Sequence, residues 1–377
     1  RFSHLIYDQA SAKPVGLFLM GKGIREANVS GITSTGPGSR TNAANYAANL
    51  IPSFGQPSSD ICITSNLPGT TKWKPLIPTG RISAVNNQEL KDYLEKVKLY
   101  DQQQIQSSVY NTPEKDWQKH VIHFVGGTDA SQQNTFQNYM QVMENTIENR
   151  FFGGEVLTIA KDDSDPLSPG ELQAVMDRIE NGVSLVNYFG HSMATTSGFE
   201  INLDEPENWN NYGKYPIMIT NSCYNGNIFQ NNRSKSEEFV NVPDYGAIAY
   251  IGTVNLGFAN TLFTYTNELY KNFSLANYGQ TISSQMRSVV GYIEGFGNNL
   301  YNESTALQMV LNGDPMIRLN WHQKPEIELL STRVWFQPED IDLSTDSIEM
   351  FIELTNLGRS IQDTFSLEIT RDFPGSI

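Results

Sequence analysis

The sequence predicts an α/β protein with a parallel sheet packed between helices in an α/β/α sandwich, followed by the start of a β-sandwich. As far as about residue 322, short apolar runs alternate with amphipathic helical segments, a pattern typical of βαβ units. From residue 323, short strand patterns follow one another with no helix between them, as in β-sandwiches. The 377 residues are 39% hydrophobic, which is enough for a large core.

Apolar runs and helical periodicity place the elements in order. The predicted strands of the sheet are residues 15–20, 121–125, 155–159, 183–189, 216–222, 246–252 and 316–319. One predicted helix is capped by Asn87 and ends before a polar loop at 101–119, and another passes through 136–147. The remaining predicted helices are 43–50, 169–181, 234–240, 262–273, 280–293 and 304–311. The clearest start is at Ser168, where Pro169 and Glu171 complete a capping box.

Three regions follow from these patterns. The polar loop at 101–119 predicts a boundary between an N-terminal α/β subdomain, residues 1–115, and a second α/β subdomain, residues 116–322. Residues 323–377 are predicted to begin an immunoglobulin-like sandwich, with strands at 326–330, 333–336, 347–354 and 366–369. The chain starts with Arg1 and shows no signal peptide, so we expect a fragment of a longer precursor.

Composition argues against several classes of partner. The formal net charge of -15 opposes binding to nucleic acid or to an anionic membrane surface. No run of 18 apolar residues occurs, so no membrane-spanning segment is predicted. With only Cys62 and Cys223, disulfides cannot be the main staple of the fold. Cys62 lies in an apolar run and is predicted to be a buried structural thiol.

Two reactive residues follow two of the buried runs. His191 comes after the run 183–189 and Gly190, and Cys223 comes directly after the run 216–222. Because the carboxyl ends of parallel strands meet at one edge of a sheet, we expect the two side chains to meet there as base and nucleophile. Either residue alone would more often be structural. The other histidines occupy a chain end, strand positions or a late loop: His4, His120, His123 and His322.

The turns after these strands offer backbone donors. The amides of Ser192 and Cys223 could converge on the oxygen of a bound acyl group and form an oxyanion hole. A zinc site is not predicted, because one cysteine and one histidine fall short of the three or four ligands that zinc needs. The sequence therefore predicts thiol chemistry that requires no cofactor.

At these residues the sequence resembles the gingipain family of cysteine peptidases, whose fold is caspase-like. The resemblance covers about residues 15–320, and its motifs are Asn187-Tyr-Phe-Gly-His191-Ser192, Asn221-Ser-Cys223-Tyr-Asn225-Gly226, Gly80-Arg81-Ile82, Gly252-Thr253-Val254-Asn255 and Gly313-Asp314-Pro315. It implies that residues 116–322 are the catalytic caspase-like subdomain and that an immunoglobulin-like domain follows.

The resemblance also implies roles for individual residues. Cys223 would attack the scissile carbonyl, His191 would protonate the leaving amine, and the Ser192 and Cys223 amides would bind the oxyanion. Asn255 and the segment after it, including Phe258, would form the substrate-binding wall of the S1 pocket. Family members orient the histidine with an acid; here Asp129 is the candidate, and a Cys–His dyad without it is the alternative.

The resemblance bears on substrate preference and metal as well. Arg-specific members carry an acid at the bottom of S1, but the stretch Ser131–Tyr139 contains none, so an uncharged P1 residue is expected rather than Arg or Lys. Structural calcium is common in the family. Acidic residues that could ligate it through oxygen are Asp162, Asp163, Asp165, Asp204 and Glu205, although a solvated acidic loop is the simpler interpretation.

Three functions remain open at this stage. The first is a secreted or cell-surface bacterial endopeptidase that acts on proteins or peptides. The second is a sortase-like relative that works with the type IX secretion machinery, because a thioester at Cys223 serves hydrolysis and transpeptidation equally. The third is a catalytically inactive scaffold, which the Ser at position 192 and the glycines at 126 and 127 would favour.

Overall fold

A computed structural model provides the structure of the chain. The described residues are 2–25, 42–65, 67, 73–105, 112–161, 166–193, 195, 203–297, 299–341, 345–360 and 364–370.

In the part of the chain that the structure describes, eight strands form one sheet with helices between them; the apolar pattern did not predict β2 as one of these strands. The strands are β1 Leu17–Met20, β2 Thr79–Ile82, β3 His120–Val125, β4 Glu155–Ala160, β5 Leu185–Phe189, β6 Ile217–Asn221, β7 Ala249–Thr253 and β8 Met309–Gly313. Their order across the sheet is β1-β2-β8-β7-β6-β5-β3-β4. All neighbours are parallel except β7 and β8, which are antiparallel. Every residue of β3, β5, β6 and β7 is buried, so both faces of the central sheet are covered.

Helices connect the strands and cover the sheet. They are α1 Phe2–Gln9, α2 Ala43–Tyr46, α3 Asn87–Ile105, α4 Thr112–Lys115, α5 Ala130–Ile147, α6 Pro169–Asn181, α7 Lys235–Asn241, α8 Ala259–Lys271, α9 Ile282–Glu294 and α10 Leu300–Gln308. The capping box at Ser168 is confirmed, since its hydroxyl accepts from the Glu171 amide while the Glu171 carboxylate accepts from the Ser168 amide.

Two consecutive residues of β3, whose side chains point to opposite faces, show that helices lie on both faces of the sheet. His123 contacts Tyr270 of α8 on one face. Phe124 and Phe239 of α7 line the same small cavity on the other face. The chain thus has the layered α/β/α arrangement expected from the sequence.

Several predicted boundaries are wrong. The last strand of the sheet is Met309–Gly313 and not residues 316–319, because the apolar run Leu307–Leu311 suits the end of a helix and a strand equally well. The polar stretch 101–119 is not one loop, since α3 continues to Ile105 and residues 112–119 are helical. The cap of α3 is Asn86 rather than Asn87: its side chain accepts from the Gln88 and Glu89 amides.

The sheet is continuous across the predicted boundary at residue 115. Strands β1 and β2 come from the first predicted subdomain, and β2 pairs with β8 of the second. The division into two subdomains stays a prediction.

The C-terminal region contains a hairpin rather than four separate strands. β9 Ile327–Gln337 joins two predicted strands into one, and it pairs antiparallel with β10 Glu349–Asn356. Residues 366–369 are irregular. An immunoglobulin-like sandwich is therefore not seen in the part of the chain that the structure describes. Leu357 is buried beside the α/β body, and the Ser360 amide donates to the Phe151 carbonyl at 3.2 Å.

A buried lysine joins α3 to the loop that leads into β7. The Lys96 ammonium lies within 3.2 Å of four backbone carbonyls, those of Val240, Val242, Tyr245 and Ala247. Burial lowers the pKa of Lys96 to about 7. The carbonyls satisfy a group that would otherwise be costly to bury.

Replacing this lysine with an apolar residue of similar length should strongly destabilise the fold. Lys96→Met leaves the four buried carbonyls without their donor, and we expect the free energy of unfolding to fall by roughly 3 kcal/mol. Urea unfolding at neutral pH measures the change. Lys91→Met, at an exposed position of the same helix, is the matched control and should change stability by less than about 0.5 kcal/mol. Equal losses in the two variants would contradict the role given to Lys96.

Candidate active site

His191 and Cys223 follow the ends of two neighbouring strands at matching positions. Strands β5 and β6 run parallel with Phe189 opposite Asn221. Each reactive residue lies two positions beyond this pair. The register therefore delivers both residues to the carboxyl edge of the sheet, which is the edge where open α/β sheets carry their sites.

Hydrogen bonds tie the two exit loops together. The Gly190 amide donates to the Asn221 carbonyl at 3.2 Å. The Ser192 hydroxyl donates to the Cys223 carbonyl at 2.6 Å. The serine that stands where the family has glycine thus links the histidine loop directly to the cysteine loop.

The Cys223 thiol is half-buried and sits in a restrained turn. The Gly257 amide approaches its Sγ at 3.4 Å. Tyr224 has a φ of 64°, a conformation costly for a non-glycine residue, and its amide donates to the Asn255 carbonyl at 3.0 Å. At Gly226 a Cβ atom would lie 2.4 Å from the Gly252 backbone, so only glycine allows this close approach.

The exposed His191 ring has one hydrogen-bond partner in the described structure, and sequence reasoning missed it. His191 Nε2 lies 2.8 Å from Oε1 of Gln132, in the first turn of α5. The ring also packs near Phe136, with centroids 6.3 Å apart. The available signal was spacing: Gln132 follows Asp129 by three residues and precedes Phe136 by four, which places Gln132 and Phe136 on one side of the helix.

Asp129 contacts the start of helix α5 and not the His191 ring that it was expected to orient. Its carboxylate caps α5 by accepting from the Gln132 amide at 2.9 Å. Among the described residues, the ring of His191 pairs with Gln132 and not with Asp129. A cap is a favourable use of a carboxylate because helix N-termini carry unpaired amides and a partial positive charge. A direct catalytic role for Asp129 stays a prediction that this geometry does not support.

The two amides expected to form the oxyanion hole have no acceptor among the described residues. Neither the Ser192 nor the Cys223 amide donates a hydrogen bond there. Ser192 is not among the described residues with positive φ, so its backbone does not demand glycine. Both amides are therefore free to donate to an incoming oxygen, and the oxyanion hole remains a prediction.

The two predicted substrate-binding residues differ in their surroundings. Phe258 follows Gly257 at the start of α8, is 41% exposed and packs edge-on against Tyr301 of α10, with ring centroids 4.7 Å apart. The side chain of Asn255 accepts from the Leu256 amide at 2.9 Å. Sequence reasoning missed Tyr301, because nothing local links α10 to the Cys223 loop.

A chain of buried hydrogen bonds runs beneath the site. The Thr266 hydroxyl donates to Asn221 Oδ1 at 2.5 Å, and Asn221 Nδ2 donates to Asn187 Oδ1 at 2.9 Å. Asn187 Nδ2 donates to the Tyr270 hydroxyl at 3.0 Å, and that hydroxyl lies 2.8 Å from His123 Nε2. We call these five residues the buried donor chain. It joins β3, β5 and β6 to α8 directly below the two reactive loops.

Burial sets the protonation state of His123. In the described structure its Nε2 lies 2.8 Å from the Tyr270 hydroxyl, and its Nδ1 is buried without a hydrogen-bond partner. Burial lowers the pKa of His123 from the ordinary 6.5 to about 3. The histidine is therefore neutral in the folded protein over the physiological range.

The other cysteine is poorly suited to reaction. Burial, with a smaller effect from Asp60, raises the pKa of Cys62 to about 11. Both cysteines are free thiols. Cys62 lies in a short 3₁₀ helix, Ile61–Ile63. A raised pKa suppresses the thiolate, so the structural role predicted for Cys62 fits its surroundings.

The calcium prediction remains untested. Asp162, Asp163 and Asp165 lie outside the described residues. Asp204 and Glu205 are described, and the Asp204 carbonyl accepts from the Lys235 ammonium at 3.0 Å. No group of three or more His, Cys, Asp or Glu side chains that could hold a metal ion occurs in the described part of the chain.

Comparison with known proteins identifies the family. The model of peptidase family C25 matches residues 1–320, and the chain therefore belongs to this family, the gingipain family of cysteine peptidases. No curated protein sequence matches the chain significantly.

Solved structures share its fold. The Arg-specific cysteine proteinase gingipain R is similar with a TM-score of 0.63 and 16% identity, over 89% of this chain and 72% of that one. A complex of the Porphyromonas gingivalis pro- and mature domains of the same proteinase gives 0.62 and 15%, over 89% and 74%. A structure described as a protease gives 0.60 and 18%, over 89% and 73%. At these identities the likeness concerns the fold.

The buried histidine predicts how stability depends on pH. The unfolded chain binds a proton at His123 near pH 6.5, but the folded protein does so only near pH 3. The free energy of unfolding should therefore fall as pH drops through this window, by up to about 1.4 kcal/mol per pH unit from His123. Urea unfolding between pH 7 and 4 measures the slope.

The comparison of slopes isolates the contribution of His123. The glutamine of His123→Gln cannot bind a proton. The free energy of unfolding of this variant should therefore fall less steeply with decreasing pH, by the contribution of about one proton. Gln137→Ala, at an exposed position of α5 without a titratable side chain, is the control and should keep the full slope. If the pH dependence of stability is the same in His123→Gln as in the unmodified protein, protonation of His123 does not cause the loss of stability in this pH range.

Proposed function

We propose that the chain is a cysteine endopeptidase in which Cys223 is the nucleophile and His191 the general base and acid. The observation that carries the proposal is the delivery of both residues to one edge of the sheet in register, with the Ser192–Cys223 hydrogen bond joining their loops. Membership of a cysteine peptidase family supports it. The substrates would be proteins or peptides.

The proposed reaction has two halves. The Cys223 thiolate attacks the scissile carbonyl carbon, and the carbonyl electron pair moves to the oxygen, which the Ser192 and Cys223 amides stabilise. Collapse of this intermediate breaks the C–N bond, and the leaving amine takes the proton held by His191. Water, deprotonated by His191, then attacks the thioester and releases the acid product and the thiol.

We infer that the preferred P1 residue is uncharged. Beside the Gly257 amide that contacts Cys223, the chain carries the exposed apolar side chains of Leu256 and Phe258, and Tyr301 packs on Phe258. The first turn of α5 contains no acid. An Arg or Lys side chain would thus lose its hydration without gaining a carboxylate partner.

The proposal also covers location. No helix of the described residues is long and apolar enough to cross a membrane. We propose that the enzyme acts outside the cell or on the bacterial surface, in keeping with its resemblance to peptidases exported by type IX secretion. Transpeptidation and an inactive scaffold are the competing functions, and the experiment below separates them.

Thiol trapping tests the proposed nucleophile. The protein and its His191→Ala variant are treated with iodoacetamide from pH 5 to 9, and peptide mass spectrometry locates the label. At pH 6 we expect Cys223 to react at least about tenfold faster than glutathione treated in parallel, because an activating imidazole increases the thiolate fraction of its partner thiol. His191→Ala should remove this advantage. Glutathione is the reference because Cys62, whose pKa burial raises to about 11, would react more slowly than an ordinary thiol.

Two results would redirect the proposal. If Cys223 reacts no faster than glutathione, or equally fast without His191, the chain is an inactive scaffold. If Cys223 is activated, peptide libraries with added hydroxylamine or glycine come next. Hydrolysis alone supports the endopeptidase, whereas transfer of the acyl group to the added amine in preference to water supports the transpeptidase.

A substitution in the apolar wall tests the P1 preference. Phe258→Ala should lower kcat/KM about tenfold for peptides with an apolar P1 residue, because the lost contact removes about 1.4 kcal/mol or more of burial. Phe336→Ala, at a similarly exposed phenylalanine of β9, is the control and should have no effect. Preferred cleavage after Arg or Lys in the unmodified enzyme would contradict the assignment of the wall.

A further inference from the structure

The side-chain amide of Gln132 has a defined orientation. Its Oε1 lies 2.9 Å from the Thr128 amide nitrogen, 3.1 Å from the Thr128 hydroxyl and 2.8 Å from His191 Nε2. A backbone N–H can only donate, so the atom facing it must be the amide oxygen and not the amide nitrogen. The same oxygen therefore faces the histidine.

This orientation decides which nitrogen of His191 carries the proton. An amide oxygen accepts hydrogen bonds and cannot donate them, so Nε2 must bear a hydrogen. A neutral imidazole has only one N–H, which leaves Nδ1 with its lone pair. Nδ1 is therefore the nitrogen that can take a proton from a thiol.

The surroundings hold Gln132 in place. The backbone amide of Gln132 donates to the Asp129 carboxylate at 2.9 Å, and this cap fixes the first turn of α5. Phe136, one turn further along, packs near the His191 ring. Thr128 supplies two of the three donors to Oε1. Asp129 thus acts on the histidine through Gln132.

We propose that Gln132 is a positioning residue that selects the Nε2–H tautomer of His191 and leaves Nδ1 as the base for Cys223. The catalytic part of this inference rests on the proposed function. Because Gln132 is neutral, it orients the ring with a dipole and adds no charge to stabilise an imidazolium. In the described structure, hydrogen bonds tie two titratable groups to these residues: the Tyr188 hydroxyl donates to the His191 carbonyl at 2.5 Å, and the Asp129 carboxylate accepts from the Gln132 backbone amide.

Imidazole ¹⁵N NMR tests the tautomer directly. In protein labelled with ¹⁵N-histidine, the neutral His191 ring, assigned with the His191→Ala variant, should carry its proton on Nε2. Gln132→Met keeps the length of the side chain but removes the acceptor, so the two tautomers should mix. Gln137→Ala, at an exposed position of the same helix, should leave the tautomer unchanged.

A charged replacement provides the second readout. Gln132→Glu keeps the acceptor and adds a negative charge beside the ring. Its NMR titration midpoint for His191 should move up by about one pH unit relative to the unmodified protein. Iodoacetamide labelling of Cys223 should fall about tenfold in Gln132→Met and be restored in Gln132→Glu. A merely structural role would give no tautomer change in Gln132→Met.

The outcomes separate this inference from the proposed function. A proton on Nδ1 in the unmodified protein, or an Nε2–H tautomer that survives Gln132→Met, overturns the role of Gln132 whether or not Cys223 is activated. If the tautomer responds as expected but Cys223 labels no faster than glutathione, the assignment of Gln132 stands and the peptidase proposal fails. Thermal unfolding of each variant confirms that the compared proteins are folded.

Discussion

The candidate site depends on the buried donor chain that runs from Thr266 to His123. All five of its residues are buried, and each hydrogen bond uses the donor of one side chain and the acceptor of the next. In a low-dielectric interior such a chain is stable only when its members are paired, so it disfavours any other register of β3, β5 and β6 against α8. A one-residue slip would turn Asn187 and Asn221 to the opposite face of the sheet. The positions of His191 and Cys223 follow from this register.

The loops above this layer combine close packing with local strain. Gly226 and Gly252 approach too closely for any side chain, and Tyr224 adopts a left-handed conformation directly after Cys223. The hydroxyl of Ser192 adds a link between the loops that a glycine could not make. The departure from the family motif at this position therefore has a structural explanation, and it does not require loss of the site. The orienting group of the histidine is an amide rather than a carboxylate, which distinguishes the electrostatics of this site from those of a charged triad.

Local patterns predicted much of the fold but left particular elements undecided. The capping box at Ser168 and the strands β3 to β7 were predicted because caps and apolar runs act over a few residues. β8 was misplaced because an apolar run that follows a helix does not reveal where the helix ends. Lys96 was not singled out, since its four carbonyl partners lie about 150 residues away in sequence. Gln132 and Tyr301 were missed for the same reason: each gains its role from a residue on a distant element.

By itself the sequence determined the class of fold and the family, and it predicted His191 and Cys223 as the pair for thiol chemistry. These properties reside in composition, periodicity and short motifs, which need no knowledge of distant contacts. The tertiary structure alone decided which group faces His191, what Asp129 does, and which aromatic ring joins Phe258. Those assignments depend on distances of a few ångströms between segments far apart in the chain, and no local pattern encodes them. The family motif therefore located the chemistry, and the packing of α5, α8 and α10 decided how it is arranged.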